Sequence, residues 1–200
     1  MKPARKRRSW EQRARENREA LINAAAETVG EKGYEGATIA EVTSRAGVSL
    51  GLFYQYFESR GDLFNQLLPA VGSRLIATLG QESSSAKDAV EGENRAIRAY
   101  FDYLDSDKSI MRVFKEAEVY APDAYNEYLA NILQRYSKVL RRQKDQGEFQ
   151  KFSKKELEVI ATMLTMARVE FYERFAESDK SSEWICDVFV KIVEALAKAK

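Results

Sequence analysis

Thr38-Ile39-Ala40-Glu41-Val42-Thr43-Ser44-Arg45-Ala46-Gly47-Val48-Ser49-Leu50-Gly51-Leu52-Phe53-Tyr54-Gln55-Tyr56-Phe57-Glu58-Ser59-Arg60 holds two short helical patterns that meet at a tight turn. Thr38 and Glu41 have the spacing of a capping box, in which the hydroxyl accepts from a first-turn N–H and the carboxylate reaches back to the cap's own N–H. A helix is therefore expected from about Ile39, with Ile39, Val42 and Ala46 on one face. Gly47 can take the left-handed conformation that ends it, and Ser49 can cap the next helix. Only Gly47-Val48-Ser49 separates the two. They must cross steeply with Val48 between them, which is the helix-turn-helix arrangement.

Spacing alone does not separate a DNA-reading pair of helices from a pair that merely packs. The content of the second helix does more. Phe53 and Phe57, four apart, can anchor one face, which leaves Leu50, Gly51, Tyr54, Gln55 and Tyr56 on the open side. A glycine early in a helix costs roughly 1 kcal/mol relative to alanine. Its presence makes sense where a partner such as DNA comes close to the backbone.

The rest of the chain sets the context. Its 200 residues are 44% hydrophobic and 32% charged, with three prolines and ten glycines. That is a soluble, folded composition with too few turn signals for strands, so the fold class is read as all-α. The net charge of +1 conceals an asymmetry. Residues 1–15 carry Lys2, Arg5, Lys6, Arg7, Arg8, Arg13 and Arg15 against Glu11, a net of +6, which leaves −5 on the other 185 residues. A basic arm over 1–15 can follow a DNA backbone or serve as a solubilising tail. No run is apolar enough for a signal peptide or a span, so no membrane partner and a cytoplasmic location are expected. Cys186 stands alone and there is no histidine. Internal disulfides, common Cys/His zinc sites and Ser/His/Asp or Cys/His catalysis are thereby excluded, and neither a cofactor nor a metal nor an enzyme is expected.

In chain order, Ser9 with Gln12 opens a first helix near Trp10 that runs to about Lys32, with Leu21, Ile22, Ala25, Ala26 and Val29 buried. A fourth helix starts at Ser59 and carries Leu63, Phe64, Leu67 and Leu68 inward. Pro69 predicts a kink or break in it between about Asn65 and Pro69. The run Gly80 to Ala86 reads as a linker near a domain boundary. Helical patterns then cover 88–104, 109–120, 122–146, 154–177 and 182–198, about nine helices in all, with a capping-box spacing at Ser153 and Glu156. The expected division is a basic arm over 1–15, a DNA-binding domain over 16–64 and a larger helical domain over 65–200.

Thr-Ile-Ala-Glu-Val, Ala-Gly-Val-Ser, Gly-Leu-Phe-Tyr-Gln-Tyr-Phe-Glu-Ser-Arg and Asp62-Leu63-Phe64 resemble the DNA-binding signature of TetR/AcrR-family transcriptional regulators, over about Arg18 to Phe64. The resemblance implies a three-helix DNA-binding head followed by a helical effector-binding and dimerisation domain. It implies phosphate contacts from Thr38, Leu52, Tyr56 and Arg60, with Ser49 at the helix start, and base edges facing Leu50, Gly51, Tyr54 and Gln55. Gln55 can pair in two directions with adenine. Leu50 and Leu52 depart from the family's usual polar side chains, so a phosphate contact at Leu52 would have to come from its backbone. The implied partners are a double-stranded, roughly palindromic operator, a second copy of the chain and a small-molecule effector. Release of a repressor by that effector is the expected mechanism, and activation is the alternative.

An effector pocket is expected among the aromatic and methionine side chains of the middle helices, at Tyr100, Phe101, Phe114, Tyr128, Met163 and Met166. These suit an apolar or aromatic ligand, and Glu116 and Glu118 leave room for a cationic one. The two C-terminal helices have wide apolar faces, and the dimer interface is expected at Leu164, Phe171, Trp184, Val188, Phe189 and Ile192.

Overall fold

A computed structural model describes residues 9–176 and 183–199. Most of the basic arm, residues 1–8, lies outside them. Among the described residues there are nine α-helices and no strand: α1 (Trp10–Gly36), α2 (Ile39–Ala46), α3 (Leu50–Phe53), α4 (Arg60–Ser83), α5 (Ala89–Ser106), α6 (Ser109–Tyr120), α7 (Pro122–Asp145), α8 (Glu156–Phe171) and α9 (Glu183–Ala197). None is long and apolar enough to cross a membrane.

The predicted caps form. Ser9, Thr38, Ser49 and Ser59 accept from the N–H groups of Gln12, Glu41, Leu52 and Asp62. Only Ser153 and Glu156 close the full reciprocal box, at 3.2 and 2.7 Å. At Thr38 the box is half made, because the Glu41 carboxylate pairs with Lys32 instead. Gly47 sits at φ 66°, ψ 31°, and the bonds from Gly47 N to Ser44 O and Val48 N to Thr43 O complete a Schellman stop.

Two expectations are revised. Pro69 does not break α4, which runs through to Ser83; proline's fixed φ is helical, so only one rung of the ladder is lost. The linker-like run from Gly80 is therefore helical over its first four residues, and the turn occupies 84–88.

The chain forms two compact units, Met1–Val71 with Lys108–Tyr125, and Gly72–Asp107 with Asn126–Lys200. In the first, α1, α2, α3 and the start of α4 enclose Leu21, Ile22, Val29, Val42, Phe53, Phe57, Leu63 and Leu67. α6 packs along α1 as part of the same unit. Gly30 and Gly33 permit this closeness, since a Cβ on Gly30 would lie 2.4 Å from Ser109 Cβ. The α1 helix kinks at Gly33, whose φ of 76° and ψ of 171° interrupt it where the sequence pattern ended it. In the second unit, α5 packs on α9 around Ile97, Phe101, Leu104, Ile185, Phe189 and Val193. Cys186 is buried there as filler, and burial pushes its thiol up to about 11.

Candidate functional site

The turn between α2 and α3 fixes what the first unit exposes. Phe53 and Phe57 are fully buried, their rings 5.4 Å apart, and Arg18 lies over Phe57 while bonding Gln66 Oε1 at 2.5 Å. With that keel inside, Leu50 (53% exposed) and Tyr54 (55%) face solvent, together with Gly51 and Gln55. A Cβ on Gly51 would meet nothing within 4 Å. No packing inside the protein demands glycine there.

The second helix of the pair is shorter than the sequence suggested. α3 is a single α-helical turn, and Gln55 and Tyr56 donate to Leu52 O and Phe53 O in tighter 3₁₀ fashion before Phe57 closes back on Phe53 O. Thr38 and Ser49 are exposed caps whose hydroxyl oxygens accept from the chain, which leaves each O–H free to donate. Leu52 has no such capacity. Its N–H already serves Ser49 at 3.0 Å to the carbonyl and 3.2 Å to the hydroxyl, which removes the backbone contact expected of it. Tyr56 is half-buried.

Arg60 departs furthest from expectation. Its guanidinium donates to Ala37 O at 3.0 Å, Glu35 O at 2.8 Å and Tyr34 O, and lies 4.9 Å from the Phe64 ring. It therefore ties the α1–α2 connection to α4 through Nε and Nη2. Arg60→Met should cost the first unit about 2 kcal/mol, the usual loss for charged hydrogen bonds to buried groups, read by urea denaturation. Arg60→Lys should recover little, because one ammonium cannot replace a planar fork. A Lys variant of full stability but weak DNA binding would restore the phosphate role.

Arg45 and the α6 cluster complete the unit's framework. Arg45 forks onto Glu31 and lies 3.5 Å from Glu27, which fastens α2 to α1. Arg112 donates to Gly30 O at 3.2 Å and Glu31 O at 3.0 Å, and Glu116 accepts from Tyr34 N–H at 2.7 Å. Desolvation works against the Glu116 charge, but Arg112 and the Tyr34 N–H outweigh it, so its carboxyl lies below the usual range. Tyr34 itself stacks on Tyr120 at 5.5 Å and meets Phe64 edge-on at 4.6 Å. Glu116 is thus a structural clamp, spoken for before any cationic ligand.

The second unit holds a cavity of about 640 Å³, and none of the six expected pocket residues lines it. Tyr100, Phe101 and Tyr172 pack ring on ring, with Tyr100, Phe101 and Tyr128 buried. Gly72 lets Tyr128 in, since a Cβ there would lie 2.1 Å from the phenol oxygen. Phe114 lies in the first unit against Tyr125, Met163 is largely exposed and Met166 half-buried. Aromatics at helical spacing filled the core, and space remained where side chains are small, at Gly80, Ser83, Ala86, Gly92 and Ala96.

Sequence reading missed the polar floor of that cavity. Arg168 pairs with buried Glu93, donates to Tyr136 Oη at 3.1 Å, and lies over the Tyr136 and Phe189 rings at 4.9 and 5.1 Å. Burial opposes the Arg168 charge, but Glu93 and Tyr136 more than offset this and raise its pKa; burial and Glu93 push the Tyr136 phenol well up. The signal was available. Glu93 and Arg168 each fall on the apolar stripe of their helix, beside Ala96 and Ile97 and beside Leu164.

Of the expected dimer residues, Leu164 and Phe189 point into the unit's own core, and Phe171 is half-buried. Trp184, Val188 and Ile192 remain outside at four-residue spacing, each about 40% or more exposed, and on α8 Val159 and Met163 are exposed as well.

The chain thus combines a helix-turn-helix whose exposed face is polar and aromatic with a second helical unit that has its own cavity. Residues 21–67 match the family of bacterial regulatory proteins, tetR family. The HTH-type transcriptional activator FasR of Mycolicibacterium smegmatis is 31% identical over 101 residues, 50% of this chain and 46% of FasR. Over that match the chain spans about half the relative's length. BetI, an HTH-type transcriptional regulator of Escherichia coli, is 29% identical over 146 residues, 64% of this chain and 72% of BetI. The crystal structure of FadR from Bacillus subtilis in complex with stearoyl-CoA superposes with a TM-score of 0.72 over 91% of this chain and 98% of that one, at 18% identity. The match places a tetR-family DNA-binding region within residues 21–67 of this chain, and the likeness to FadR extends to the fold of the rest.

Proposed function

We propose that this chain is a cytoplasmic, effector-controlled repressor that works as a homodimer on a two-half-site operator. The observation that carries the reading is the exposed face of Leu50, Gly51, Tyr54 and Gln55, held rigid by buried Phe53 and Phe57. Gln55 pairs an adenine edge, Leu50 meets a thymine methyl, and the hydroxyls of Thr38 and Ser49 take phosphates. So short an element touches few bases. Two heads on half-sites about 34 to 36 Å apart supply the rest of the affinity.

The exposed apolar row Trp184, Val188 and Ile192 supports pairing through α8 and α9. A ligand in the second unit that binds one arrangement of the dimer better than another lowers DNA affinity by that difference. The name of FasR favours one variant of this reading, in which the bound dimer activates; operator position relative to the promoter separates the two.

The test is sedimentation and DNA footprinting of Val188→Glu/Ile192→Glu beside wild type. Wild type is expected to sediment as a dimer and protect two half-sites. The variant is expected to be monomeric, to protect one at most, and to lose roughly 100-fold or more in apparent affinity, since it forfeits the linked second contact. A variant that remains dimeric with an unchanged footprint would sink this interface.

A further inference from the structure

Four cationic side chains, Lys87, Arg135, Arg142 and Arg168, line the cavity of the second unit against two carboxylates, Asp88 and Glu93. The six are not equivalent. Asp88 caps α5 by accepting from Glu91 N–H at 2.8 Å, and Glu93 is buried against Arg168. Arg135 and Arg142 are exposed and stand at the rim. Arg168 is only 9% exposed, and its Nε–H is buried without a hydrogen-bond partner among the described residues. A buried guanidinium donor left unpaired is costly, and such a group marks where an acceptor belongs. The amide oxygen of Gln143, another lining residue, is also buried and unpaired. Between these polar groups the wall is apolar, at Ile76, Leu79, Ala96, Ile132 and Val139.

We propose that this cavity receives an amphiphilic organic acid, with its acid group accepted at Arg168 and its apolar body along the wall from Ile76 to Val139. This rests on the reading of the second unit as the effector-binding part, and it replaces the apolar, aromatic or cationic ligand that the aromatic content suggested. Charge and shape agree. An uncharged oxygen could accept from the Arg168 Nε–H but would leave Lys87, Arg135 and Arg142 without a countercharge, whereas an anion answers both. The acid oxygen would also compete with Glu93 for the same guanidinium. Binding would thereby loosen or redirect a contact that joins α5, α7 and α8 through Glu93, Tyr136 and Arg168. The acidic head can be a carboxylate or a phosphate, and the two are distinguished by experiment.

The full chain is titrated with decanoate, decanoyl-CoA and the neutral decanol, all below their micellar concentrations, by calorimetry and thermal unfolding. At least one acid is expected to raise Tm by about 5 to 10 °C at roughly 100 times its Kd, with decanol giving no comparable shift. Decanoate alone points to a carboxylate head and decanoyl-CoA alone to a phosphorylated one, and either supports the proposal. Equal stabilisation by decanol, or none by either acid, overturns it. Arg168→Met alone strands a buried carboxylate and can unfold the chain, so the paired variant is Glu93→Gln/Arg168→Gln, with Arg135→Gln/Arg142→Gln as a second that touches only the rim. The first is expected to bind the acid at least tenfold more weakly and the second several-fold more weakly; wild-type affinity in both overturns the proposal. Operator binding is followed in the same titration. Acid that binds without releasing DNA leaves the ligand assignment standing and removes the effector reading, whereas release by decanol does the reverse.

Discussion

Gly33→Ala is expected to destabilise the first unit by roughly 2 to 4 kcal/mol, because it combines two separate costs. The backbone at φ 76°, ψ 171° lies in a region that glycine alone occupies freely. A Cβ there would also stand 2.7 Å from Arg112 Nη2 and 2.8 Å from Glu116 Oε2. Those are the two groups through which α6 holds the end of α1, so the methyl cannot enter without displacing the bonds to Gly30 O, Glu31 O and Tyr34 N–H. Urea denaturation of Gly33→Ala, Arg112→Ala and the double variant separates the costs. Removing Arg112 relieves one of the two collisions and frees the Glu116 carboxylate to move, but leaves the dihedral strain, so the double variant should be less destabilised than the sum of the singles by about 1 kcal/mol. A Gly33→Ala chain within about 0.5 kcal/mol of wild type would mean that the kink relaxes freely and that α6 is not clamped there.

How much of this was legible in the sequence follows from the range of the interactions. Caps and stops are local, and Ser9, Thr38, Gly47, Ser49, Pro122 and Ser153 marked helix ends that the structure shows within a few residues. The exposed face was legible for the same reason, since Phe53 and Phe57 four apart leave only one side for Leu50, Gly51, Tyr54 and Gln55.

Partners distant in sequence were not legible. Arg112 and Glu116 bond backbone atoms some 80 residues away, and no periodicity in α6 announces that. Arg60 carried a phosphate role by resemblance, and its three carbonyl partners on the α1–α2 connection were not announced by any pattern. A pocket was sought among large aromatic side chains, none of which lines the cavity, and part of that cavity is bounded by small residues along a stretch whose composition read as linker. Glu93 and Arg168 could have been flagged as charges on apolar stripes, but only three dimensions pair residues 75 positions apart.

The central claim is that the face of Leu50 to Gln55 reads DNA sequence. The measurement that tests it most directly is binding of the full chain to DNA from its own upstream region, titrated across salt, beside Tyr54→Ala/Gln55→Ala. Both side chains are exposed and outside the core, so the variant should fold with near-wild-type stability. Each lost base contact is worth about 1 to 3 kcal/mol. Across two heads this amounts to a fall of roughly 100-fold or more in specific affinity. Phosphate contacts are untouched, so non-specific binding and the slope of log K against log salt should barely change. Tight, steeply salt-dependent binding by wild type that collapses to the non-specific level in the variant is the expected result. Equal affinity of the two proteins for that operator, with the variant folded, would contradict the account.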